Sequence, residues 1–154
     1  MNSGNTYRFK SDGTAIEQIT WGQVNPFGQC MDARGDFFTA DCHSKPITLL
    51  LRGGYYDSFG KPHDGLGFAP IVTSDDHGST GIAGIVAYAS GHFPADYRGS
   101  MFVGNVVTNI VHRDRPQWRG SSPWIEKPED FLTCDDWWFH PVDLQLGPDG
   151  ALYV

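Results

Sequence analysis

Apolar and polar positions along this chain fall into short runs, each closed by a turn. Residues 27–31 read as a strand, Gly35 supplies a tight turn, and Phe37-Phe38-Thr39-Ala40-Asp41 follows as a second strand rich in aromatic and β-branched residues. The pair predicts a β-hairpin that opens into a polar loop, Asp41-Cys42-His43. An earlier hairpin is expected from strands at 6–9 and 15–21 around Ser11-Asp12-Gly13, and residues 47–51 are apolar enough for a strand buried on both faces. Between 52 and 80 the pattern fails, because Gly53-Gly54, residues 60–65 and residues 74–79 are turn chemistry throughout. A loop of that length inside a domain is usually functional when it is ordered. Regular runs resume at 82–88, 100–104 and 109–113, with a helical turn at 94–97 and an edge strand around 124–126.

The far end of the chain repeats the central hairpin. Pro141 falls on Pro26, Gly150 on Gly35, and Leu152-Tyr153 on Phe37-Phe38. Punctuation supports an all-β reading: with 19 Gly and 10 Pro, the longest stretch free of both is 129–140. Proline breaks a helix interior and glycine costs about 1 kcal/mol there, so long helices have no room. Strands in groups of about four, each group headed by a hairpin, predict a partial β-propeller with groups starting at Phe27, Ile82 and Val142. The whole of 1–154 then reads as a single partial propeller domain of two to three four-stranded antiparallel blades, cut at both ends.

Charge and cysteine content narrow the function class. A formal charge of -7, from 11 basic and 18 acidic residues, argues against nucleic acid as a partner. No apolar run approaches the ~18 residues that span a bilayer, so no membrane contact is expected from this segment. Three cysteines do not complete a disulfide framework; Cys30 reads as a small buried hydrophobe, and Cys42 and Cys134 lie in loops where pairing stays open.

Strand direction gathers the chemistry at one end. In an antiparallel blade, the loop entering the first strand and the loop leaving the second share a face, which collects Asn25, Asp41-Cys42-His43, His77-Gly78-Ser79, residues 105–109, His140 and Asp143. Convergent polar groups on an apolar scaffold are a binding-site hypothesis. Asp41 and His43 fit either a loop network of backbone N–H groups or contact with a ligand or metal. His63 and His77 sit on Gly-flanked loops as candidate titratable groups, and Asp75-Asp76 offers oxygens for a hard cation or a solvated pair. Residues 78–81 lack the lysine of a phosphate loop, and Trp137-Trp138-Phe139 reads as a sugar-stacking platform or, more commonly, a core wedge.

Several stretches carry a resemblance over nearly the whole chain: Trp21-Gly22-Gln23-Val24-Asn25-Pro26-Phe27-Gly28, residues 39–46, residues 59–70, residues 93–99 and Gly147-Pro148-Asp149-Gly150-Ala151-Leu152-Tyr153-Val154. They resemble the propeller of the membrane-bound dehydrogenases of planctomycete-type bacteria. That group is similar in turn to the soluble quinoprotein glucose and sorbosone dehydrogenases, through the Asn-Pro-x-Gly and Gly-Pro-Asp-Gly-x-Leu-Tyr-Val hairpins. The resemblance implies a six-bladed propeller carrying pyrroloquinoline quinone (PQQ) and calcium, which oxidises a sugar or alcohol while a histidine takes the hydroxyl proton. Asn25 matches a quinone-contacting asparagine, and Asp41, Cys42 and His43 fall where the family's loop meets quinone and calcium, with Asp41 and His43 as the metal candidates. Two departures stand out: Val24 replaces the family's arginine, and the family's base lies on an earlier blade, which leaves His77 as the substitute base and this segment inactive alone. The resemblance also implies a periplasmic or secreted protein, with a cytochrome c module elsewhere in a longer chain. The rival reading is a non-catalytic propeller that binds carbohydrate or protein.

Overall fold

The computed structural model describes residues 3–43, 45–60, 67–73 and 75–154. Twelve strands run through them: β1 (Thr6–Arg8), β2 (Glu17–Thr20), β3 (Pro26–Met31), β4 (Phe37–Asp41), β5 (Ile47–Leu50), β6 (Ile82–Ala87), β7 (Met101–Asn105), β8 (Ile110–Arg119), β9 (Ser122–Glu126), β10 (Leu132–Thr133), β11 (Gln145–Leu146) and β12 (Leu152–Tyr153). The helix among the described residues is a single 3-10 turn, Ala95–Tyr97, where Pro94 fixes the entry as expected.

The sheets are antiparallel and follow one another as partial propeller blades. β1 pairs with β2; β3, β4 and β5 form one sheet in that order; β6, β7, β8 and β10 form the next; β11 pairs with β12. The repeat read from sequence holds at the level of single hydrogen bonds. In the first hairpin Cys30 pairs with Phe38 and Met31 with Phe37; in the last, Gln145 pairs with Tyr153 and Leu146 with Leu152, the same register. Both turns close identically, with Asp32 N–H donating to Asp36 O at 3.0 Å and Gly147 N–H to Ala151 O at 2.9 Å. Each turn needs a left-handed residue, supplied by Gly35 (φ 88°) and Gly150 (φ 82°).

Two expectations change. Among the described residues the sheet of β3, β4 and β5 has three strands rather than the expected four: Gly53 and Gly54 turn the chain away and Tyr55 forms isolated bridges with Trp21 and Phe68. Conversely, β8 runs straight through Pro116 to Arg119 and folds back through Gly120 into β9. β7 stops pairing at Asp114, so Pro116 faces β9 alone and its missing N–H breaks no ladder on the other side.

Blades pack face to face through β7, whose side chains alternate. Met101 and Val103 join Phe38, Ile47, Leu49 and Ile85 in a core toward the first sheet, while Phe102 joins Tyr88, Val111 and Leu144 in a core toward the last hairpin. Ile125 donates its N–H to Val72 O at 2.8 Å and packs on the first core, so the β8–β9 hairpin reaches across to the preceding blade. The first strands approach one another closely. A Cβ on Gly28 would lie 2.7 Å from Ile85 N, and one on Gly84 would lie 2.8 Å from Asp143 Cα. Gly28→Ala is therefore expected to lower unfolding stability by about 1–3 kcal/mol in chemical denaturation. Gly91→Ala, where the nearest atom is Arg98 Nη2 at 3.6 Å, is expected to stay within about 0.5 kcal/mol.

Candidate functional site

The end of the blades at which first strands begin is held together by Asp41. Its buried carboxylate accepts backbone N–H groups from Val24 (2.9 Å), Asn25 (3.0 Å) and His43 (3.1 Å), and Asn25 O accepts from Cys42 N–H at 3.1 Å. The loop entering β3 is thus clamped to the loop leaving β4. Cys42 then links the blades, its thiol donating to Ile82 O at 2.8 Å. Burial, and next the charge of Asp41, push the Cys42 thiol up, so it stays protonated. Cys30 is pushed up to about 12, again chiefly by burial. All three cysteines are free thiols. Farther round, His140 Nδ1–H donates to Val106 O at 2.8 Å and joins the third first strand to the β7–β8 turn.

Between the first two blades these loops surround a cavity of about 480 Å³, lined by Val24, Cys42, His43, Lys45, Asp57, Ile71, Asp76, Gly78, Ser79 and Thr80. Asn25 is exposed beside Val24 at its rim, and the exposed His43 ring lies 5.7 Å from that of Phe59. The structure thus brings Val24, Cys42-His43 and residues 76 and 78–80 to one mouth, with Asn25 next to Val24 in the chain. Asp57, Lys45 and Ile71, which also line it, carried no sequence signal. His63 lies outside the described residues.

His77 departs from its expected role as a base at this mouth. Asp75 and Asp76 accept the N–H groups of His77 (2.7 Å) and Gly78 (2.9 Å), and His77 adopts φ 54°. That turn carries the imidazole inward, to 0% side-chain exposure. There Nε2–H donates to Asp114 Oδ2 at 2.8 Å, and the ring stacks on His112 with centroids 4.0 Å apart. His112 Nδ1–H donates to Asp130 Oδ1 at 2.7 Å, leaving Nε2 to accept from Asn105 Nδ2 at 3.2 Å. Asn105 Oδ1 accepts from Ser79 Oγ–H at 2.8 Å and from the Val107 and Thr108 N–H groups, so this buried network fixes the 76–80 turn against the β7–β8 turn. A signal for it was present: His112 and Asp114 are two apart on a strand and share a face.

A metal set is not assembled at Asp41 and His43. Asp41 already accepts three N–H groups while buried, His43 is exposed, and no group of three or more His, Cys, Asp or Glu among the described residues could hold a metal ion. Trp137 and Trp138, 83% and 87% exposed, are not a core wedge; Phe139 alone packs against the second core.

The sequence profile of the DUF7133 domain, described as a domain of unknown function, matches residues 2–154. The chain belongs to the DUF7133 family. A search of the curated proteins finds no match to the DUF7133 chain. Among solved structures it is similar to a glucose dehydrogenase from Thermus thermophilus, with a TM-score of 0.68 at 19% identity over 88% of this chain and 39% of that one. It is equally similar to the soluble aldose sugar dehydrogenase of Escherichia coli in its apo-form, with a TM-score of 0.68 at 22% identity over 94% of this chain and 45% of that one. The DUF7133 chain thus shares the β-propeller fold of these proteins and spans less than half of their length.

The buried His112 gives the DUF7133 chain a pH dependence. Burial first, and the neighbouring His77 second, hold His112 below its ordinary 6.5, only partly opposed by Asp130. Burial pushes the adjacent Asp75 carboxyl up, but the His77 N–H and Lys127 outweigh it and keep Asp75 below its ordinary value. A folded state that protonates His112 less readily than the unfolded chain gains stability that is complete above 6.5 and is lost as pH falls through the lower folded value. The urea midpoint is expected to fall between about pH 7.5 and 5.5, with His112→Gln flattening that dependence; a wild-type midpoint constant over this range would contradict the assignment.

Proposed function

We propose that this chain forms the cofactor-facing part of a propeller dehydrogenase that oxidises a sugar or alcohol with a bound quinone. The observation that carries the reading is the meeting of Val24, next to Asn25 in the chain, with Cys42-His43 and Asp76, Gly78, Ser79 and Thr80 around one cavity of about 480 Å³, at one end of a fold shared with glucose and aldose sugar dehydrogenases. The resemblance to quinoprotein sugar dehydrogenases and to planctomycete-type membrane-bound dehydrogenases supplies the cofactor and the placement in the periplasm or outside the cell.

The cavity suits a flat polar ligand in its donors. In this reading the Asn25 amide, the His43 ring and the Lys45 ammonium hold the quinone's oxygens, and Cys42, kept as a thiol by burial, shapes the wall without acting as a nucleophile. A bound quinone would supply a hydride acceptor, while the protein would supply position and electrostatics. Calcium does not fit at Asp41, whose oxygens already accept three N–H groups, and no step is assigned to it. The proton acceptor for the substrate hydroxyl is assigned to another part of the propeller, because the His77 ring is buried against Asp114.

The buried His77 and the engaged Asp41 favour a second reading, a propeller that retains the pocket and binds carbohydrate without oxidising it. Calorimetric titration of PQQ into the full-length protein, with and without calcium, separates the two. The dehydrogenase reading predicts stoichiometric binding that Asn25→Ala weakens by about 1–3 kcal/mol. No binding under either condition would leave the non-catalytic reading.

A further inference from the structure

The opposite end of the blades holds a second cleft with different chemistry. About 420 Å³ lie between the β3–β4 turn, the β6–β7 loop and the extended half of β8, with Arg34, Arg98 and Arg115 around a floor that includes Ala87, Pro116 and Trp118. The turn at residues 32–36 and the loop at 88–100 both follow first strands, so this cleft and the candidate quinone cavity open at opposite ends of the same two blades.

The guanidinium groups are available. Three of the chain's seven arginines meet here in a protein of formal charge -7, and among the described residues neither Arg34 nor Arg98 forms an ion pair. Arg115 makes only a long contact to Glu126, with Nη1 3.6 Å from Oε2, and its Nε–H has no hydrogen-bond partner. Arg34 stacks 4.4 Å above the Trp118 ring, which orders its side chain before any ligand arrives. The acid of the cleft, Asp32, is engaged by its own turn: Oδ1 accepts the N–H groups of Arg34 and Asp36, each at 2.9 Å. The quinone-side cavity, by contrast, balances Lys45 and His43 against Asp57 and Asp76.

We propose that this cleft is a binding site for a small organic oxyanion, a carboxylate or a phosphate ester, whose charged head meets Arg34, Arg98 and Arg115 while its carbon body lies on the apolar floor. Guanidinium forks match both headgroups through paired N–H donors. The site is separate from the proposed dehydrogenase cavity and does not depend on that reading.

Benzoate and glucose 6-phosphate serve as probes, titrated calorimetrically into the intact protein and its Arg34→Gln, Arg98→Gln and doubly substituted forms. Both arginines are exposed, so the variants are expected to keep the parent melting temperature. Saturable one-to-one binding of at least one probe is expected, weakened about tenfold by each substitution and about a hundredfold by both. Binding of benzoate alone identifies a carboxylate site; binding of the sugar phosphate alone identifies a phosphate ester site. Absence of saturable binding by either probe, or undiminished binding in the double variant, would overturn the proposal.

Discussion

The arrangement of this molecule depends on how closely its first strands approach one another. Gly28 of β3 lies against the backbone of β6, and Gly84 of β6 lies against Asp143 at the head of the last hairpin, with no space for a Cβ at either glycine. The internal repeat sets Asp143 at the position of Gly28, so one contact type recurs from blade to blade. Gly84 N–H donates to Val142 O at 2.8 Å, which fixes the spacing as well as the closeness. With first strands at that separation, the side chains of β7 can fill both interblade cores in alternation, Met101 and Val103 on one side and Phe102 on the other. Loops at the strand ends are then brought to common mouths, polar at one end and rich in arginine at the other.

Buried polar groups stabilise those mouths at a cost that the structure meets by satisfying them. Asp41 offsets its burial with three backbone N–H donors, and Asn105 and His112 bind each other and the loops around them. Among the described residues, buried atoms of the same region that remain without hydrogen bonds include His77 Nδ1, Asp114 Oδ1, Thr108 Oγ1 and Asp57 Oδ1, although His77 Nδ1 lies 3.7 Å from Asp75 Oδ1. His112, held below its ordinary value by burial, therefore ties the stability of this network, and the shape of the cavity beside it, to proton uptake.

Much of this was readable from the residues. The hairpins around Gly35 and Gly150 followed from turn chemistry, and their common register followed from the alignment of Pro26 with Pro141. The gathering of Cys42, His43, Gly78 and Ser79 followed from strand direction, which had also placed the His77 side chain there. What escaped depended on tertiary context. The expected run at 109–113 extends in the structure to Arg119, because Pro116 sits where β8 has a partner on one side only. His77 looked like a surface group, but a positive φ, which few non-glycine residues adopt, turned its ring inward. Of the two readings of Trp137 and Trp138, sugar-stacking platform or core wedge, their exposure removes the wedge, and the arginine cleft joins segments more than eighty residues apart at its extremes.

The role proposed for the polar mouth is to serve a sugar- or alcohol-oxidising propeller. Its most direct measurement is turnover: the full-length protein, loaded with PQQ and calcium, is assayed against a panel of aldoses and alcohols with an artificial electron acceptor. The account predicts acceptor reduction that requires the quinone and falls at least about tenfold in Asn25→Ala, the loss of one charge-assisted contact. Binding of quinone and sugar without any acceptor reduction would contradict it.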